Sequence, residues 1–288
     1  MTPTILVTGA TGATGRYTTE QLLAKGYVVR AFAHREDHRS KRLVDSGAEV
    51  VFGDLLDIES VRVALKGVQR AYFVYPLRPG LTYATVQFAQ AAKEAGVEFI
   101  VNMSQKSARE DSKSHAALEH WLSERVFDWC GIPTAHIRPT YFAEWLLYLA
   151  PLIRDGRMPV PLDASGRHAP VAAEDQASVI AGLLENPSSH GGKIYPLFGP
   201  VELTQPEIAA AVGRVLGRHI QYEQVTSEKF LAALFSTPIP HLAQHLHEVA
   251  IDHHNGIFAG TNNVIQEIGG RQPMTVEQFV TKHRDAFL

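Results

Sequence analysis

The chain has 288 residues, 45% apolar and 20% charged, with a net charge of −3 and one cysteine, Cys130. These proportions exclude a disordered, collagen-like or coiled-coil chain, an intramolecular disulfide framework and every multi-cysteine metal site. The acidic balance argues against nucleic acid as a partner. The lack of any ~18-residue apolar run, or of a basic segment leading into an apolar one, argues against a membrane partner and points to a cytoplasmic protein.

In chain order, apolar runs at Ile5–Val7, Val28–Ala33, Val50–Phe52, Ala71–Tyr75, Phe99–Met103 and Thr134–Arg138 alternate with stretches of helical length at Arg16–Lys25, Ile58–Lys66, Tyr83–Ala95 and Ala116–Trp129. Continuous apolar strands separated by amphipathic helices predict βαβ units and a parallel sheet covered on both faces, an α/β fold that is doubly wound. Beyond residue 150, prolines from Pro151 to Pro206 break the pattern into short pieces. Thr204 with Glu207, and Thr275 with Gln278, have capping-box spacing and mark helix starts, while Thr226–Ile251 reads as mostly helical. The expected organisation is a doubly wound α/β domain over 1–150 and a smaller, mostly helical lobe over 151–288. That boundary is soft, because elements of the second half are free to return to the sheet.

The segment Ile5-Leu-Val-Thr-Gly9-Ala10-Thr11-Gly12-Ala13-Thr14-Gly15-Arg16 carries the chemistry: a strand, glycine at every third position, then a helix. Glycine permits the tight turn, the close approach of backbone to a pyrophosphate, and close helix–strand packing. The pyrophosphate then rests on the free N–H groups of the helix N-terminus. The second strand ends Ala33-His34-Arg35 with no acid before Glu36, so a ribose 2′-OH lacks its usual carboxylate. Arg35, with Arg16 near the same pocket, instead suits the 2′-phosphate of NADP(H); the alternative is that Arg35 is a solvated loop residue. In Gly53-Asp54-Leu55 the carboxylate either meets the adenine amino group or caps the following helix. Tyr75, Met103 and Pro139, at strand ends, are expected on the nicotinamide side.

These residues resemble the short-chain dehydrogenase/reductase superfamily, and in particular its atypical NmrA-like branch, which is similar to NADPH quinone reductases and triphenylmethane reductase and also includes redox-sensing NADP-binding proteins. Besides the glycine turn, the resemblance rests on His120-Trp-Leu-Ser-Glu124-Arg125 leading into Gly131-Ile-Pro-Thr134, and on Ile137-Arg-Pro139-Thr-Tyr141-Phe142-Ala-Glu144. It runs in order over about residues 4–180, continues more weakly through Val171–Ser178, and implies a Rossmann fold. The superfamily's Tyr-x-x-x-Lys pair is missing: in register with Glu124, its positions hold Ala116 and His120. A tyrosine there would protonate a carbonyl as hydride arrives. Conjugated acceptors such as quinones or dyes can take hydride first and a solvent proton afterwards, because the cofactor supplies the hydride.

Candidate catalytic residues are therefore His120, Ser104 and Tyr141. Tyr75, Met103, Phe142 and Trp145 supply flat apolar surface as a cluster, although each of the last two, like Tyr141, taken singly reads as helix core. His120 is either a proton relay or ribose contact, or a packing histidine bonded to Glu124 one turn on. Ser104 either orients the acceptor or caps the next segment. The expected activity is NADPH-dependent reduction of a small conjugated acceptor; the alternative is an NADP(H)-binding redox sensor. No metal is expected: His241, His245 and His247 fall on one predicted helix, but an H-E-x-x-H is broken by Ile251. The sequence leaves a homodimer open.

Overall fold

The computed structural model describes residues 2–288. Strand β1 (Thr4–Val7) sends Ile5 and Val7 into one apolar cluster and Leu6 into another, all fully buried, as expected of a strand covered on both faces. The chain then alternates through α1 (Ala13–Ala24), β2 (Val28–Ala33), α2 (His38–Asp45), β3 (Glu49–Phe52), α3 (Ile58–Leu65), β4 (Arg70–Phe73), α4 (Leu81–Ala95), β5 (Phe99–Met103), α5 (His115–Trp129) and β6 (Thr134–Pro139). Helix α2 escapes a periodicity search because only Leu43 and Ser40 are buried along it. It is started instead by Asp37, whose carboxylate accepts the Arg39 and Ser40 N–H groups while the Ser40 hydroxyl accepts that of Asp37.

The second half runs α6 (Trp145–Tyr148), α7 (Ala150–Arg154), β7 (Arg157–Val160), β8 (Arg167–His168), α8 (Ala173–Glu185), β9 (Ile194–Leu197), β10 (Leu203–Thr204), α9 (Gln205–Leu216), β11 (Gln221–Gln224), α10 (Ser227–Leu234), α11 (Pro240–His254), α12 (Val264–Gly269) and α13 (Val276–Lys282). Both capping boxes form, at Thr204/Glu207 and Thr275/Gln278. The Thr226–Ile251 stretch divides into α10 and α11, with Pro238 and Pro240 lying between and at the start of the second helix.

All seven strands of the main sheet are parallel, in the order β3-β2-β1-β4-β5-β6-β9. The sheet therefore takes in β9 from the second half, and α8 packs beside α1 on one face while α3, α4 and α5 cover the other. Strand order reverses between β1 and β4, so the crevice at their carboxyl ends is the switch point where this architecture places its ligands. Thr8 ties the two strand ends together, its hydroxyl donating to the Val74 carbonyl at 3.0 Å and accepting the Val74 N–H at 2.8 Å. A third apolar cluster, built from α6, α7, β7, α9, α10, α11 and α13, forms a lobe beside that edge. Among the described residues, no helix is long and apolar enough to cross a membrane.

Candidate functional site

The turn after β1 is shaped for something other than protein. Gly9 has φ +55°, and a Cβ there would lie 2.7 Å from Val74 Cγ1. At Gly15 a Cβ would overlap the Gly9 carbonyl, so α1 can approach the turn only without a side chain. No side chain caps α1, which leaves its first N–H groups for a ligand. A cleft of about 340 Å³ opens there, lined by Gly9, Thr11, Gly12, Ala13 and Thr14, by Asp54 and Leu55, and by Val74 and Tyr75. Ala10 lies beneath it, fully buried. The Thr14 hydroxyl is held inside the protein, 2.9 Å from the Tyr72 hydroxyl.

Towards the end of β2 the geometry departs from the sequence expectation. The Arg35 side chain is 75% exposed and lines no cavity at the turn. Arg39 lines both the main cleft and a neighbouring cavity of about 220 Å³, which also contains Thr11, Gly12, Ala13, Arg16 and Arg42. Its guanidinium is oriented by Asp37, with Nη2 at 2.6 Å and Nε at 3.0 Å from Oδ2. The hydrogen-bonded arginine holds the Asp37 carboxyl well below the usual carboxylate range. The available signal for Arg39 was Asp37-x-x-Ser40, a helix start that points the next turn back at the glycine loop. Asp54 does not cap α3; Asp57 does. Asp54 makes a local turn instead, its Oδ1 accepting the Leu56 N–H at 2.9 Å, and it faces the cleft beside His34.

A second cavity of about 300 Å³ meets the first at Val74, Tyr75 and Phe142 and brings together Met103, Ser104, His120, Pro139 and Tyr141. Its far wall comes from the lobe: Trp145, His245, Leu246, Val249 and Phe258. Tyr141 and Phe142 precede α6 and are not helix core, and Phe142 bridges to Val171. Ser104 is 3% exposed and its Oγ has no partner, so it caps nothing. The Tyr141 hydroxyl is likewise buried without a partner; burial, with Asp252 nearby, pushes its pKa well up. Its ring packs on those of His168 and Phe258.

His120 is buried, and not against Glu124. That carboxylate is taken by Arg138, at 2.8 and 2.5 Å. Among the described residues Nδ1 of His120 has no partner, and the support that the Met103 backbone gives the charged ring is outweighed by burial. Burial first, and then nearby His245, lowers the His120 pKa to about 3, so the imidazole is neutral. His245, read in the sequence as a surface or interface histidine rather than a metal ligand, is a cavity residue: a histidine on a predicted helix does not reveal which distant loop it will face.

Fold and site together define a Rossmann-class α/β protein whose glycine turn opens on a cleft at the sheet's switch point, with a second, largely apolar cavity beside it. Residues 1–280 match the NmrA-like family, and the chain belongs to that family. It is 29% identical to the NAD(P)H azoreductase of Xenophilus azovorans, covering 98% of this chain and 99% of that one. It is 30% identical to a (4-alkanoyl-5-oxo-2,5-dihydrofuran-3-yl)methyl phosphate reductase of Streptomyces griseus, again over 98% and 99% of the two chains. In structure it is similar to an NADPH-dependent quinone oxidoreductase of Escherichia coli solved with NADPH, with a TM-score of 0.83 and 26% identity over 97% of this chain and 99% of that one.

Proposed function

We propose that this protein is an NADP(H)-dependent reductase that passes hydride to a small, flat conjugated acceptor such as a quinone or an azo compound, without a Tyr/Lys pair. The observation that carries the reading is the junction of two cavities at Val74, Tyr75 and Phe142, one floored by the glycine turn and the other walled by aromatic and apolar side chains. The reductases among its relatives support it.

The residues fit the dinucleotide. The glycine turn leaves room where a Cβ would intrude, and the uncapped start of α1 offers its N–H groups to the pyrophosphate. Arg39, Arg16 and Arg42 surround the space suited to a 2′-phosphate, and Asp54 stands at the adenosine end. When bound, the reduced nicotinamide supplies the hydride. The protein's part is to hold an acceptor flat against Tyr75, Met103 and Phe142. Ser104 and Tyr141 offer hydroxyls that have no protein partner among the described residues and are free to bond an acceptor. The residue in the lysine position, His120, is neutral and holds no acidic proton to give, so protonation of the reduced acceptor falls to solvent.

The test is titration with NADPH and NADH, followed by a panel of quinones and azo dyes at the reduced-nicotinamide absorbance band. NADPH binding, and its oxidation by at least one acceptor, is expected. Failure to bind either dinucleotide would sink the reading.

A further inference from the structure

The lobe brings one side chain into the acceptor cavity in a protonation state set by the protein. Ser114 caps α5: its Oγ accepts the Ala117 N–H at 3.1 Å. The same Oγ lies 2.7 Å from Nδ1 of His245, 131 residues further along the chain. Since Oγ already accepts the Ala117 N–H, its own proton needs an acceptor, and among the described residues His245 Nδ1 is the atom placed to take it. The ring proton of a neutral His245 then sits on Nε2, which has no protein partner among the described residues, on a side chain that lines the cavity. Neutrality follows from burial, which is the main cause lowering the His245 pKa to about 4. Across the cavity, His120 presents a buried Nδ1 that has no partner among the described residues.

We propose that His245 Nε2–H is the hydrogen-bond donor to the acceptor atom on which negative charge collects as hydride arrives, and that Ser114 is the positioning residue that holds it in this tautomer. This rests on the reductase reading above. Hydride adds to one atom of the conjugated acceptor, and the displaced π pair moves to the far heteroatom. That atom, now anionic, takes a hydrogen bond from His245 and then a proton from water; the nicotinamide is oxidised and no protein group changes oxidation state. A neutral imidazole keeps its proton throughout and stabilises the anion as a fixed dipole. The acceptors favoured are those with a carbonyl-like oxygen or an azo nitrogen conjugated to the hydride-accepting atom.

The experiment compares wild type with His245→Ala, His245→Gln, Ser114→Ala and Ser114→Thr, using p-benzoquinone, a naphthoquinone and an azo dye, with NADPH binding followed separately by fluorescence. For His245→Ala, kcat should fall about 100-fold, the size typical of losing one oxyanion donor, with KM and NADPH affinity changed less than threefold. His245→Gln, which keeps an N–H donor, should recover part of that loss. Ser114→Ala should cost about tenfold in kcat, and Ser114→Thr should restore most of it. A His245→Ala enzyme within twofold of wild type in kcat overturns the proposal. Loss of NADPH binding in both His245 variants does so as well, because it assigns the residue to packing. A wild type that binds NADPH yet reduces no acceptor removes the reductase reading itself, which separates that failure from this one.

Discussion

Arg138 grips Glu124 with two hydrogen bonds, from Nε at 2.8 Å and from Nη2 at 2.5 Å, and the carboxylate is fully buried. The two residues come from separate motifs of the sequence, one on α5 and one on β6, and their pairing locks that helix to its strand at the level of the second cavity. It also explains why His120, one turn before Glu124, is free to face Met103 and the cavity.

Glu124→Gln removes one charge of a buried pair and leaves Arg138 uncompensated. A loss of roughly 3 kcal/mol of stability is expected, as for other broken buried pairs. Urea denaturation checks it: the midpoint should fall with an unchanged slope.

Arg39→Ala should weaken NADPH binding by about 10- to 100-fold, the loss of one or two charge-assisted hydrogen bonds, while NADH binding moves little. Arg35→Ala should change neither by more than about threefold, since a surface charge of this kind is worth little. Parallel fluorescence titrations of both variants with both dinucleotides decide between the arginines.

Gly15→Ala should abolish dinucleotide binding, because its Cβ overlaps the Gly9 carbonyl and pushes α1 off the turn. Calorimetric titration measures the binding, and circular dichroism verifies that the rest of the sheet persists.

Glu144 accepts the Ala173 N–H at the start of α8, at 3.0 and 3.1 Å. Burial nevertheless raises its carboxyl to about 7 from an ordinary 4.5. With the folded value above the unfolded one, the native state holds the proton more tightly, so this contribution is complete below pH 4.5 and is lost as pH rises through 7. Glu144→Gln should flatten the fall in stability across that window, with a difference approaching about 3 kcal/mol. Thermal melts of both proteins between pH 4.5 and 8 measure it.

Much of the sheet was legible because its signals are local. Fully apolar runs such as Phe99–Met103 coincide with β5 to the residue, and the Thr204/Glu207 and Thr275/Gln278 boxes open the helices they announce. Strand β9 was hidden for the opposite reason: it is four residues long, sits at the sheet edge and contains Pro196, which an edge strand tolerates and a sequence reading takes as a breaker. Helix α8, buried around nearly all of its surface, declared neither its face nor its partner α1.

What the sequence determined by itself is therefore whatever depends on backbone conformation within a few residues: the alternation of strand and helix, the glycine turn, the caps, and the absence of a tyrosine on α5. The tertiary structure alone decided which of several arginines faces the turn, that Glu124 belongs to Arg138 and not to His120, and that His245 shares a cavity with Ser104. Those outcomes depend on where α2, β6 and α11 come to rest. Packing of whole elements sets that position, and it brings side chains more than a hundred residues apart to within hydrogen-bonding distance, with no trace of the encounter in the local pattern of either segment.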